Sequence, residues 1–411
     1  MKVFNRGNKI QKPLEIALLL FGIVIIILAS CVSPASQSTS EDNFEERNFR
    51  QDETLNAWRY ADSVMNQMTL EERIGQCFMP SLKSDSEDFT IKKFQRFKDD
   101  FHVGGIVLLQ GDIPSAKFIA NLSEGSKVPL FISMDAEWGL GMRLKDAPIY
   151  PKNGRLNEDI EETLMYDYGR EIAAESRKIG INMILGPVID INATTGSGIG
   201  QRSFGSDPKR VSNLGIAYAK GLESGGVISV AKHFPGHGNT LTDSHKSIAV
   251  NPKNITYLDT IDFLPFKEYI KSGLTGIMAG HIVVPSVSRE NKPASVSENI
   301  LQVLLREEMG FKGLILTDAF NMSGIDGYNA WDAIKAGADI ILCPLDIEIE
   351  IKELQKKINS GEFDARIIAD RCRRIIFYKV IFGLWHPDNK EIKGRGDSIS
   401  IDNLKQRLSV N

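Results

Sequence analysis

The chain has 411 residues and a formal net charge of -4, with 42% hydrophobic and 25% charged residues. Those values are ordinary for a globular protein, and the length allows several average domains or one large α/β barrel with extensions. The slight acidity argues against nucleic acid as a partner, because phosphate binding needs a basic surface.

In chain order, Lys2, Arg6, Lys9 and Lys12 come first and form a positive leading region. Ile16 to Ala29 is almost wholly apolar. That run has the length of a signal-peptide core and falls short of the roughly 20 residues a spanning helix needs. It ends in Leu28-Ala29-Ser30-Cys31, which resembles a bacterial lipoprotein box. Signal removal would leave an acylated Cys31 as the new N-terminus. The protein would then be membrane-anchored by lipid outside the cytoplasm, in the periplasm or at the cell surface. The alternative is a plain membrane anchor with an incidental cysteine. Residues 1–30 therefore read as signal peptide and 31–54 as a polar tether, too poor in apolar residues to bury. Three cysteines remain, Cys77, Cys343 and Cys372, and they make no disulfide framework. Cys77 and Cys343 lie in apolar runs and read as buried thiols.

The body alternates short apolar runs with longer helical patterns. The runs are Ile74–Met79, Gly105–Leu109, Pro129–Met134, Ile181–Val188, Val227–Ala231, Gly276–Ala279, Gly313–Leu316 and Ala338–Leu342. They read as eight buried parallel strands. Helices are expected over Glu158–Lys178, Asp207–Glu223, Leu258–Lys271, Asn299–Met309 and Trp331–Lys335, with a terminal helix from Arg366 to Ile381. This alternation predicts an α/β fold, a (β/α)8 TIM-type barrel in a single catalytic domain over residues 55–386. An open doubly wound sheet is the alternative. No glycine loop for phosphate follows the first strand. Residues 387–411 read as a polar C-terminal tail, and a monomer is expected.

Barrel enzymes build their sites at the C-terminal ends of the strands. Polar residues fall there: Asp135 and Glu137, Asp190 and Asn192, Lys232 and His233, His281, and Asp318. The densest stretch is Lys232-His233-Phe234-Pro235-Gly236-His237-Gly238, followed by Asp243-Ser244-His245, with three of the chain's six histidines. His233 and His237 have the i, i+4 spacing of a zinc site on a helix, but Pro235, Gly236 and Gly238 forbid a regular helix. No metal and no cofactor are expected. Asp243 and His245 lie two apart. A carboxylate bonded to one imidazole nitrogen fixes the tautomer and makes an acid and base for near-neutral pH. A loop histidine beside a capping aspartate is the plainer alternative.

Several stretches together resemble glycoside hydrolase family 3, and within it the bacterial β-N-acetylhexosaminidase branch. They are Met68 to Gln76, Arg202-Ser203-Phe204-Gly205-Ser206-Asp207-Pro208, Lys232 to Gly238, Asp243 to His245, and Gly310 to Ile325. The resemblance spans Met68 to Leu384. It implies Asp318 as the nucleophile that forms a covalent glycosyl-enzyme, and His245, oriented by Asp243, as the acid/base. It also implies that Asp135, Arg143, Arg202, Lys232 and His233 bind the non-reducing sugar, although each could instead be a salt bridge at the rim. His281 and Met322 read as pocket lining, and Glu137 as structural support. Trp138 reads equally as a stacking platform or as packing at the mouth.

There are departures from the family pattern. Ala319 stands where many relatives carry a second acid, and the segment Gly324 to Trp331 is short. The stretch after the eighth run is expected to be too short for a second domain, so the acid/base should come from the barrel. The implied partner is a β-linked amino-sugar oligosaccharide, such as a peptidoglycan fragment, chitooligosaccharide or glycan. Two alternatives stay open: a phosphorylase on the same fold, and a non-catalytic sugar-binding lipoprotein.

Overall fold

The computed structural model describes residues 51–385, apart from 85–90, 196, 245–246 and 289. The residues read as signal peptide, Cys31, His245 and the residues read as a polar tail lie outside the described residues. Gln51–Asn66 is helical, so the segment read as tether runs a few residues too far. This helix buries Ala57 and Ala61, stacks Trp58 on Phe377 at 3.9 Å and pairs Asp62 with Arg373.

The first apolar run is also corrected. Leu70–Gln76 is a helix, and extended backbone begins only at Phe78. The Thr69 hydroxyl accepts from the Glu72 amide at 3.2 Å, and the Glu72 carboxylate accepts from the Thr69 amide at 2.8 Å. This reciprocal cap satisfies two free amide donors and starts a helix that carries Ile74 into the core.

The strands are β1 (Phe78–Met79), β2 (Ser81–Lys83), β3 (Gly105–Gln110), β4 (Phe131–Met134), β5 (Met183–Ile184), β6 (Ile228–Phe234), β7 (Ala249–Val250), β8 (Gly276–Ala279), β9 (Ile282–Val283), β10 (Leu314–Thr317) and β11 (Ile341–Leu342). Seven of them form a curled parallel sheet in the order β10-β8-β6-β5-β4-β3-β2. β1 pairs in parallel with β11, and Leu316 of β10 bridges Ile340. Helices cover the sheet, which is why β4, β6, β8 and β10 are buried along their whole length. Strands buried on both faces appear in sequence as continuous apolar runs rather than alternating ones. The fold is therefore α/β with a curled parallel sheet. β7 and β9 form a separate parallel pair.

The terminal helix Ala365–Ile381 buries a charge. Lys379 is fully buried, donates to Gln76 Oε1 at 2.7 Å and lies 5.0 Å from the Phe131 ring centroid. Burial pulls its ammonium down from 10.5 to about 7. A base whose folded pKa is depressed loses stability as pH falls, here over the window from about 10 down to 7. Lys379→Met is therefore expected to stabilise the fold, by about 2 kcal/mol more at pH 6 than at pH 9. Denaturant unfolding at both pH values measures this, and an equal effect at the two would contradict it.

Candidate active site

The carboxyl ends of β4, β6 and β10 bring the polar side chains together. Asp135 and Glu137 follow β4, and Lys232 and His233 end β6. Lys232 Nζ lies 2.6 Å from Asp135 Oδ1 and 2.8 Å from Glu137 Oε1. Arg143 reaches the other Asp135 oxygen at 2.5 Å. Arg202 grips Glu137 with two bonds, Nε at 3.0 Å and Nη2 at 2.7 Å. Bidentate pairs of this kind fix orientation as well as charge. All five side chains assigned to sugar binding are thus linked, with Glu137 as the hub that holds Lys232 and Arg202. Burial alone would push both carboxyls up. Lys232 and Arg143 at Asp135, and Lys232 and Arg202 at Glu137, overcome it and hold both well below the usual carboxylate range. The network stays ionised, so its oxygens can accept from sugar hydroxyls and its N–H groups can donate to them.

His233 is held from behind. Arg202 Nη2 approaches its Nε2 at 3.3 Å, and arginine can only donate. Nε2 therefore accepts, the ring proton sits on Nδ1, and Nδ1–H donates to Asp190 Oδ2 at 2.7 Å. Burial first, then the Arg202 charge, keep the imidazole far below its usual value, so it stays neutral. Asp190 also accepts the backbone amides of His233 at 3.0 Å and His237 at 2.6 Å. One carboxylate after β5 thereby sets the orientation of the β6 end and the loop beyond it. Gly238 meets Ile191 so closely that a Cβ there would lie 1.5 Å from the Ile191 carbonyl oxygen.

Asp318 follows β10, and its side chain is almost fully buried. Its amide donates to the Ala279 carbonyl at 2.8 Å, and its Oδ1 accepts from the Ala319 amide at 2.8 Å. Burial pushes the carboxyl up, yet it lies below its usual value, and the Ala319 amide and the Lys232 ammonium favour the carboxylate. His281 Nε2 donates to the Ala319 carbonyl at 3.0 Å, so Nδ1 accepts from Ser295 at 2.8 Å. His281 thus braces the backbone just after Asp318. Cys343 sits in the field of Asp135 and Asp318, with its thiol pushed up to about 12 by burial. It is no rival nucleophile.

His245 lies outside the described residues, but both approaches to it are visible. Asp243 packs against Gly198, where a Cβ would lie 2.9 Å from its Cγ. His237 bonds Ser244 Oγ through Nε2 and Thr240 Oγ1 through Nδ1, each at 2.9 Å. Both ring nitrogens of His233 and of His237 therefore have protein partners. Among the described residues no group of three His, Cys, Asp or Glu is placed to hold a metal ion. Lys152 Nζ lies 5.4 Å from the Trp138 ring centroid, covering one face of that ring.

Sequence reasoning left Asp190 without a role and gave Glu137 only a supporting one. The signal for both was their place after a strand; what each one holds depends on contacts across neighbouring strands.

The model of the glycosyl hydrolase family 3 N-terminal domain matches residues 69–377. A Beta-hexosaminidase of Nitrosomonas eutropha is 33% identical over 256 residues, 58% of this chain and 73% of that protein. Among solved structures, a glycoside hydrolase family 3 beta-N-acetylglucosaminidase from Paenibacillus sp. is similar with a TM-score of 0.73 at 30% identity, over 83% of this chain and 68% of that one. A beta-glucoside phosphorylase has a TM-score of 0.75 at 23% identity, over 88% and 65% of the two chains, a likeness of fold alone.

Proposed function

The chain belongs to glycosyl hydrolase family 3, and from that premise we propose that it is a retaining β-N-acetylhexosaminidase acting on non-reducing ends. In the first step Asp318 attacks the anomeric carbon, and the glycosidic C–O bond breaks. His245, oriented by Asp243, gives its proton to the departing oxygen. In the second step the neutral imidazole takes a proton from water, whose oxygen displaces Asp318 from the sugar. Two displacements retain the anomeric configuration. Asp135, Arg143, Arg202, Lys232 and His233 hold the sugar. The observation that carries this reading is Asp318, a buried carboxylate kept ionised at a strand end beside the Lys232 and His233 cluster. A nucleophile must be charged at working pH and rigidly aimed, and this position provides both.

The sheet is read as a closed (β/α)8 barrel. In support, β1 and β11 pair, Ile341 N donates to Cys77 O at 2.8 Å, and Thr317 N donates to Ile340 O at 2.9 Å. The protein is placed outside the cytoplasm on a lipid at Cys31, on the strength of the sequence around that residue.

An imidazole that has lost its proton carries no negative charge and so does not repel phosphate, the acceptor a phosphorylase uses in place of water. A panel of chromogenic β-N-acetylglucosaminide, β-N-acetylgalactosaminide and β-glucoside, with and without phosphate, tests the proposal. Turnover of the N-acetylhexosaminides to free sugar is expected. Sugar phosphate as main product would make the enzyme a phosphorylase, and no turnover of any substrate would remove the enzymatic reading.

A further inference from the structure

We propose that Asp262 is a positioning residue for proton transfer, a clamp that ties together the two ends of the loop bearing Asp243 and His245. Asn239, at the start of that loop, donates its Nδ2 to Asp262 Oδ1 at 2.8 Å. Asn251, at its end, donates its Nδ2 to Asp262 Oδ2 at 2.8 Å. The same Asn251 nitrogen reaches the Gly236 carbonyl at 3.1 Å, and the Asn251 amide is bound to Val283 O at 2.9 Å beside β9. Gly236, at φ 123°, lies directly on the aspartate, where a Cβ would come within 2.8 Å of Asp262 Cβ. All three side chains of the clamp are buried. From Gly236 to Asn251, both ends of the loop thus rest on one carboxylate.

A carboxylate is a costly choice here. Among the described residues no ion pair reaches Asp262; its partners there are two neutral amides, and burying a charge on such terms is unfavourable. Burial pushes the carboxyl up to about 6, Asp190 adds repulsion, and Asn251, Asn239 and Lys253 pull it down. An apolar residue would fill the space. A planar group with two acceptors is needed only if both amides must be held at once. The described part of the loop between the clamped ends continues the chain of bonds: His237 joins Thr240 and Ser244, the residue before His245. Errors of about 1 Å in a proton donor cost on the order of a hundredfold, so such a clamp has a catalytic consequence.

This inference rests on His245 being the acid/base, and the test separates the two. kcat/KM reports the step in which the leaving group departs. It is measured for a dinitrophenyl glycoside, whose phenolate leaves unprotonated, and for a disaccharide, whose alkoxide must be protonated. Asp262→Asn puts a donor where one amide needs an acceptor. It is expected to lower kcat/KM on the disaccharide by about tenfold to a hundredfold, with the dinitrophenyl glycoside changed less than about threefold. Asn239→Ala, which removes one donor, is expected to act the same way. The exchange Asp262→Asn with Asn239→Asp reverses the bond and is expected to restore the disaccharide rate. Equal losses on both substrates, no loss, or failure of the exchange to restore activity would overturn the role of Asp262. His245→Ala is the control. If it discriminates between the substrates and Asp262→Asn does not, only the clamp is lost. If it does not discriminate, the acid/base assignment falls and the clamp with it.

Discussion

Asp318→Asn is expected to lower kcat on an N-acetylhexosaminide by about four orders of magnitude or more, the scale seen when a covalent nucleophile is removed. The substitution is nearly isosteric. The side-chain oxygen still accepts the Ala319 amide, and the backbone bond to Ala279 is untouched. Folding should therefore change little, which separates the chemical loss from a structural one. What disappears is the charge that the Ala319 amide and Lys232 favour. An amide is a poor nucleophile and cannot form the ester intermediate. Substrate affinity should survive, because the linked cluster of Asp135, Glu137, Lys232 and Arg202 is intact. A variant that kept a tenth of wild-type kcat would take the nucleophile role from Asp318.

Lys232→Met should damage both stability and binding. Its ammonium touches Asp135 at 2.6 Å and Glu137 at 2.8 Å, and only 3% of the side chain is exposed. Removing it leaves two buried carboxylates that repel each other. Breaking a buried pair by deleting one partner costs about 3–5 kcal/mol. In a chain of this size that is a melting temperature lower by on the order of 10 °C. The pH dependence follows from the depressed pKa values of both acids. In the wild type their ionised forms contribute stability above the unfolded-state values near 4, and that contribution is lost as pH falls through the lower folded values. The difference between variant and wild type should be largest at neutral pH and shrink below about pH 4, where the variant's carboxyls protonate. KM should rise in parallel, since Asp135 and Glu137 lose the ammonium that joins them. A melting curve unchanged at pH 7 would contradict the network as described.

Much of the architecture was legible because parallel strands covered on both faces leave unbroken apolar runs. Val227–Ala231 and Gly276–Ala279 announced β6 and β8 in this way. Ile74–Met79 misled for a local reason: the cap at Thr69 and Glu72 makes its first half helical, and apolar content alone does not separate a buried helix from a buried strand. The helix Gln51–Asn66 was missed because its partners, Phe377 and Arg373, lie at the other end of the sequence. The polar ends of the strands were visible as a ring of residues. Their wiring was not, since Glu137 joins Lys232 to Arg202 and Asp190 orients His233 only once β4, β5 and β6 stand side by side. Asp262 had no motif at all. Its partners sit 23 and 11 residues away in sequence, and only the returning loop brings them onto one carboxylate.

The central claim is that Asp318 forms a covalent bond to the sugar. The direct measurement is mass spectrometry of the protein after incubation with a slow fluorinated β-N-acetylglucosaminyl fluoride, followed by peptide mapping. The account predicts a gain of one glycosyl unit, lost again on dilution, carried by the peptide containing Asp318 and absent from Asp318→Asn. Turnover of the reagent without any adduct, or an adduct on another residue, would contradict it.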